Sequence, residues 1–369
     1  MKLLHLELKY KMNKLALIFV VTFFLFCPAY GLDPTSGQKS TPLLKNETIN
    51  PILPVLPTVK EKDFVHDVPG PKLSGLLYLT SPQTGKIVYL DLSDLSMISY
   101  IQTMGAPHAL AFDKENKILF VSDFAKDQIY ELFGNSITKS LELPSMSSPQ
   151  DIKLSDDGSL VYVLNSLSND FSVYKTSDSM LLLKTKLPPN PSNFSLLKEA
   201  RIIGVTYPVT NNLVLLDASD FSFKSKIMLS NNPEKIISDP ARKVFYITNR
   251  NGGYFSIINP AKNEVTGKIQ VEETPTSLAL DPNGKYLYVG NAKSNTISVI
   301  DLDTRLIAYT ITLPPETRFP GGIEITKDGN YLIVTSENTN TISIIDLAKK
   351  EVTIKLDVGV TTHGAFISF

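Results

Sequence analysis

The segment "YLYVGNAKSNTISVIDL", residues 286–302, returns 45 positions later as "YLIVTSENTNTISIIDL", residues 331–347, with ten of seventeen letters unchanged. A fixed period of this size constrains a chain more than composition does. Each repeat is one supersecondary unit that cannot bury its apolar face alone and must stack on its neighbours. With Tyr286 as a unit start, the equivalent positions are Leu76, Ile118, Leu160, Ile202, Val244, Tyr286 and Tyr331, five steps of 42 residues and one of 45. Two further columns keep the same register. Pro107, Pro149, Pro191, Pro233, Pro275 and Pro320 stand eleven residues ahead of a start, and Asp91, Asp217, Asn259, Asp301 and Asp346 stand fifteen residues after one.

Within a unit the chain reads as four short strands. In the sixth these are "PTSLALDP", "KYLYVGN", "NTISVID" and "LIAYTITL", separated by Pro282-Asn283-Gly284 and Asn291-Ala292-Lys293-Ser294. Runs of β-branched and aromatic residues between Gly, Pro, Asn and Asp are the strand-and-turn signal. The strand centres carry apolar residues at successive positions, which predicts sheets packed on both faces. Seven such units predict an all-β, seven-bladed β-propeller with four antiparallel strands per blade. The array begins at "LLYLTSP", a second strand, and "THGAFISF" matches a first strand. One blade is therefore expected to join three strands from residues 76–105 to one from 361–369, leaving no open edge.

Ahead of the array, Lys2, Lys9, Lys11 and Lys14 precede the apolar run Leu15–Phe26, and Ala29-Tyr30-Gly31 follows. This is the pattern of a secretory signal over 1–31, too short for a spanning helix. Residues 32–71 are rich in Pro, Thr, Ser and Lys and read as a linker or arm, so the propeller is expected over 72–369. Cleavage would remove the only cysteine, Cys27, and would move the formal charge of -1 to about -4. Export to a periplasm, a cell surface or the extracellular space follows. Nucleic acid is not an expected partner, and no membrane span is expected after cleavage.

"YLYVGNAKSNTISVIDL" and "VFYITNRNGG" resemble the YVTN-repeat propellers, and the length of the array is similar to that of the YncE-like exported proteins. The likeness spans 76–369 and implies the same fold. It is uneven, since Asp123 and Tyr207 stand where the family word has Asn.

Candidate chemistry falls where inner strands open onto the central channel. The column after the proline reads His363, His108, Gln150, Ser192, Glu234, Thr276 and Gly321. The next reads Gly364, Ala109, Asp151, Asn193, Lys235, Ser277 and Gly322. The ligand-binding candidates are His108, His363, Gln150, Asp151, Glu234 and Lys235, with the two histidines on adjacent blades. A His pair beside a carboxylate can bind a divalent metal or move protons; the same positions serve equally as polar strand ends. The Asp column is expected to accept backbone hydrogen bonds in the following turn. CxxCH, GxSxG, HExxH and glycine-rich phosphate motifs are absent from the sequence. The leading expectation is therefore a non-catalytic binding or interaction scaffold without a cofactor, its partner a protein or a small molecule. The alternative is a lactonase or lyase-type enzyme, or a metal-binding protein, using His108, His363 and Glu234.

Overall fold

Four-residue to seven-residue strands, punctuated by turns at the spacing above, build seven four-stranded antiparallel sheets in a computed structural model that describes residues 73–368. The signal and arm expected over 1–71 lie outside the described residues. We number the blades in chain order. Blade 1 holds Leu76–Ser81, Lys86–Asp91 and Ile98–Gln102, and its inner strand is Ala365–Ser368. Blades 2 to 7 begin at inner strands Pro107–Asp113, Pro149–Leu154, Phe194–Leu197, Pro233–Asp239, Pro275–Leu280 and Pro320–Ile325. The closing strand pairs Ala365 with Leu79 and Ser368 with Leu76, as the sequence predicts. The single helical element among the described residues is a 3-10 turn, Lys198–Ala200.

The core lies between blades. Seven apolar clusters occupy the seven blade interfaces. At the seam, for example, Leu77, Leu79, Val88 and Leu90 of blade 1 meet Ile333, Ile342, Ile344 and Leu356 of blade 7. Second strands such as Ile202–Tyr207 and Val244–Asn249 are buried at all six positions, one face toward each neighbouring blade. Tyr78, Tyr246 and Tyr288, each two residues after a unit start, are buried in these interfaces. The Asp column caps turns: Asp91 accepts from the Ser93 amide at 2.8 Å, Asp217 from Ser219 at 2.9 Å, and Asp346 from Lys349 at 3.0 Å.

The inner strands carry a feature that periodicity does not reveal. Directly after the proline, the pairing with the second strand slips by one residue in blades 2, 3, 5, 6 and 7. In blade 5, Pro233 faces Asn249 but Ile236 faces Ile247, so the inner strand carries one extra residue. Such bulges redirect side chains and leave an amide without a ladder partner. A hydroxyl on the second strand meets that need in blades 2, 5 and 7, and one meets the equivalent amide in blades 1 and 4. Ser122 accepts from the Ala109 amide at 2.9 Å, Thr206 from Asn193 at 3.2 Å, Thr248 from Lys235 at 3.0 Å, Thr335 from Gly322 at 2.8 Å and Thr80 from Gly364 at 3.0 Å. Thr80 and Thr206 also donate to the next blade, reaching the carbonyls of His108 at 2.8 Å and Glu234 at 2.7 Å. In blade 6 the column residue is Gly290, and the Ser277 hydroxyl occupies the space its side chain would take.

Candidate functional site

The residue after the proline position of each blade, Thr362 holding that position in blade 1, lies at one mouth of the channel together with the first residue beyond the second strand. Two glycines allow the close approach this requires. A Cβ on Gly364 would lie 2.8 Å from the His108 carbonyl, and one on Gly322 would lie 2.8 Å from that of His363.

His363 of blade 1 and His108 of blade 2 come together here, their rings 4.5 Å apart and inclined by 35°. His108 Nδ1 lies 2.8 Å from the Gln150 carbonyl. A carbonyl only accepts, so Nδ1 carries the proton and Nε2 keeps its lone pair. Burial, then the neighbouring His363 and Lys235, push the His108 imidazole down to about 3. It is neutral at ordinary pH.

His363 Nδ1 lies 3.1 Å from Oε1 of Glu337, a blade 7 residue absent from the sequence-derived candidates. Glu337 occupies the space left by Gly321. Burial raises the Glu337 carboxyl, but the hydrogen bond and charge of His363, with Arg250, outweigh it and hold the group below its usual range. Across the ring, Glu234 receives Arg250 Nη1 on both carboxylate oxygens at 3.3 Å. Burial pushes Glu234 upward against the pull of Arg250, and the Glu337 charge adds to the rise. Phe124 flanks His108 with ring centroids 6.2 Å apart.

The remaining candidates separate. The Gln150 backbone orients His108, whereas Asp151 is buried and turned into the blade 3–4 junction, where Oδ2 accepts from the Phe194 amide at 3.1 Å. Lys235 stands in the blade 5 bulge, its amide donating to Thr248, and its charge acts on His108. Arg250 and Glu337 occupy equivalent positions six residues after their unit starts, in a column that reads Pro82, Phe124, Ser166, Pro208, Arg250, Ala292 and Glu337. Charge confined to two members of an otherwise small or apolar turn column was a signal available in the sequence. Among the described residues no group of three His, Cys, Asp or Glu side chains is arranged to hold a metal ion.

A seven-bladed ring with a histidine-rich, charged mouth defines the class. A family model described as "Lactonase, 7-bladed beta-propeller" matches residues 99–306 and 243–364. The chain belongs to that family. A protein of unknown function from Desulfotomaculum acetoxidans superposes with a TM-score of 0.69 at 13% identity, covering 80% of this chain and 99% of that one. Hydrazine synthase from Kuenenia stuttgartiensis superposes at 0.61 and 15% identity, over 73% and 96% of the respective chains. At these identities the likeness is one of fold. No curated protein matches the sequence.

Proposed function

We propose that the channel mouth is a hydrolytic site for a lactone. The observation that carries this reading is the His108–His363–Glu337 cluster, set opposite Arg250 in a chain of the lactonase propeller family. The ionised Glu337 accepts from His363 Nδ1–H, which leaves His363 Nε2 as the base and stabilises the imidazolium that forms there. Neutral His108 places no competing positive charge beside that imidazolium. Arg250 supplies positive charge for the oxyanion.

In the reaction, His363 Nε2 takes a proton from water as the hydroxide oxygen bonds to the lactone carbonyl carbon. The ring C–O bond then breaks, and the departing alkoxide takes the proton back. One water is added and a hydroxy acid leaves. The alternative, a propeller that binds a ligand or protein at the same mouth without turnover, shares the fold and differs in outcome.

A pH-stat assay of the full chain against γ-butyrolactone, δ-valerolactone and larger lactones tests the reading. Turnover is expected, with His363→Gln lowering kcat by about 10²–10⁴-fold. Background rates from well-folded protein across the panel would reject hydrolysis in favour of binding. We also propose an extracytoplasmic setting, on the basic-then-apolar pattern of residues 1–31. N-terminal sequencing of exported protein should begin at Leu32.

A further inference from the structure

The loops around the mouth fall into a charged half and an apolar half, and the hydrolytic reading leaves the apolar half without a task. Three residues ahead of the proline position the column reads Met104, Met146, Pro188, Ser230, Glu272, Thr317 and Gly359. Seven residues after the unit start it reads Gln83, Ala125, Leu167, Val209, Asn251, Lys293 and Asn338. Taken with the column of Phe124, Arg250 and Glu337, the large apolar side chains gather on blades 2 to 4 and all the charged ones on blades 5 to 7. Met104 is 85% exposed, Val209 71%, Met146 58% and Leu167 48%. Exposed apolar residues are ordinarily scattered, and a contiguous row of them marks an interaction surface.

Contacts make this row continuous with the reacting centre. Phe124 stands 6.2 Å from the His108 ring, and its amide donates to the Ala106 carbonyl at 3.0 Å, two residues from Met104. In the same hairpin Asp127 accepts from the Met146 amide and from the Ser148 amide, each at 2.7 Å. The Leu167 amide in turn donates to the Ser147 carbonyl at 3.3 Å. The path outward from His108 therefore runs through Phe124, Met146 and Leu167, with Met104 beside Phe124. Met146 is held at a φ of 66°, which glycine adopts without strain, so the backbone alone supplies no reason for a methionine there.

The row is too small for a folded partner, since a stable protein interface uses about 20–30 residues a side. It suits a single flexible chain, to which unbranched methionine side chains adapt readily. Resting on the hydrolytic reading, we propose that the substrate is a lactone bearing an aliphatic chain, with its ring at His363 and its chain laid over Phe124, Met146 and Leu167.

Two measurements on the full chain test this. In a pH-stat, γ-decalactone, which carries a hexyl chain on the five-membered ring, should show a kcat/KM about tenfold or more above that of γ-butyrolactone, chiefly through a lower KM. Calorimetry with 5-hexylpyrrolidin-2-one, the lactam counterpart that resists hydrolysis, should give an affinity about tenfold or more above that of pyrrolidin-2-one. Joint replacement Met146→Ser and Leu167→Ser should remove most of both advantages and leave γ-butyrolactone turnover unchanged, with Met104→Ser acting less strongly in the same direction. Retention of the hexyl advantage by the lactam, with no lactone turned over, would support the chain site while rejecting hydrolysis. Equal affinity for the two lactams, or an unchanged ratio in the folded variants, would overturn the inference whether or not the mouth hydrolyses. Binding to phosphatidylcholine vesicles that the double variant loses, without any preference between the lactams, would assign the row to a lipid surface and overturn it equally.

Discussion

Two neighbouring columns of the ring obey opposite rules. On the second strands, a hydroxyl recurs as Thr80, Ser122, Thr206, Thr248 and Thr335, and in each of these blades it accepts from the amide two positions past the proline column. One position after the prolines, the residue changes from blade to blade: His363, His108, Gln150, Ser192, Glu234, Thr276, Gly321. The first column satisfies backbone that these five blades expose in the same way, and so it repeats. The second faces a channel shared by all blades, where seven identical side chains would offer a ligand no polarity or direction. Repetition here marks construction, and departure from it marks the candidate site.

The largest effect should come from breaking the ring on which both columns depend. Deleting residues 361–369 removes the inner strand of blade 1 and uncovers Leu77 and Leu79 at the seam. Loss of a single cooperative thermal transition is expected. A truncated protein that melts like the full chain would contradict the seam.

Next should come the repeated column. Thr206→Val leaves the Asn193 amide and the Glu234 carbonyl without their hydroxyl partner. At about 1–3 kcal/mol for each of the two orphaned groups, a loss of roughly 2–6 kcal/mol is expected in denaturant unfolding. A cost near zero would mean that water replaces the hydroxyl.

The smallest effect, and the sharpest contrast, belongs to the variable column and depends on pH. His108 sits at about 3 in the fold against an ordinary 6.5, so the unfolded chain binds the extra proton between those values and stability falls on acidification. Glu324, raised to about 7 from 4.5, works the other way, because the folded chain binds the extra proton and gains stability as pH falls from 7 toward 4.5. The two slopes offset each other between pH 4.5 and 6.5. Glu324→Gln should therefore expose a decline of at most about 1.4 kcal/mol per pH unit below 6.5, and His108→Asn should expose a rise on acidification. Parallel stability curves for both variants and the parent would show that neither group titrates as described.

Blade number, strand order and the closing strand were legible because a 42-residue period survives point variation. The Asp column was legible because a carboxylate at a strand end has one common structural use. The bulge after the proline was not. One extra residue opposite a neighbour leaves no trace in the alternation of a single strand, and Pro233, Glu234, Lys235 and Ile236 read as an ordinary polar-to-apolar run. Missing the bulge hid the role of the Thr in "YITN", which accepts from backbone made available by the slip. Glu337 and Arg250 were hidden for a different reason. They sit just past the second strand, where sequence reads as turn, and only closure of the ring brings Glu337 of blade 7 to His363 of blade 1. Asp151 shows the converse, since a carboxylate in the right column is drawn sideways by the Phe194 amide of the next blade.

The seam also sets an order of events during synthesis. His363 leaves the ribosome after all the other strands of the array except the closing one it introduces, and its amide docks on the Thr80 carbonyl at 2.8 Å, close to the first residues of blade 1. Until that docking occurs, His108 lacks the His363 ring and Glu337 has no imidazole to hold. The charged mouth is thus assembled last, so a nascent or unclosed ring carries its parts without their arrangement.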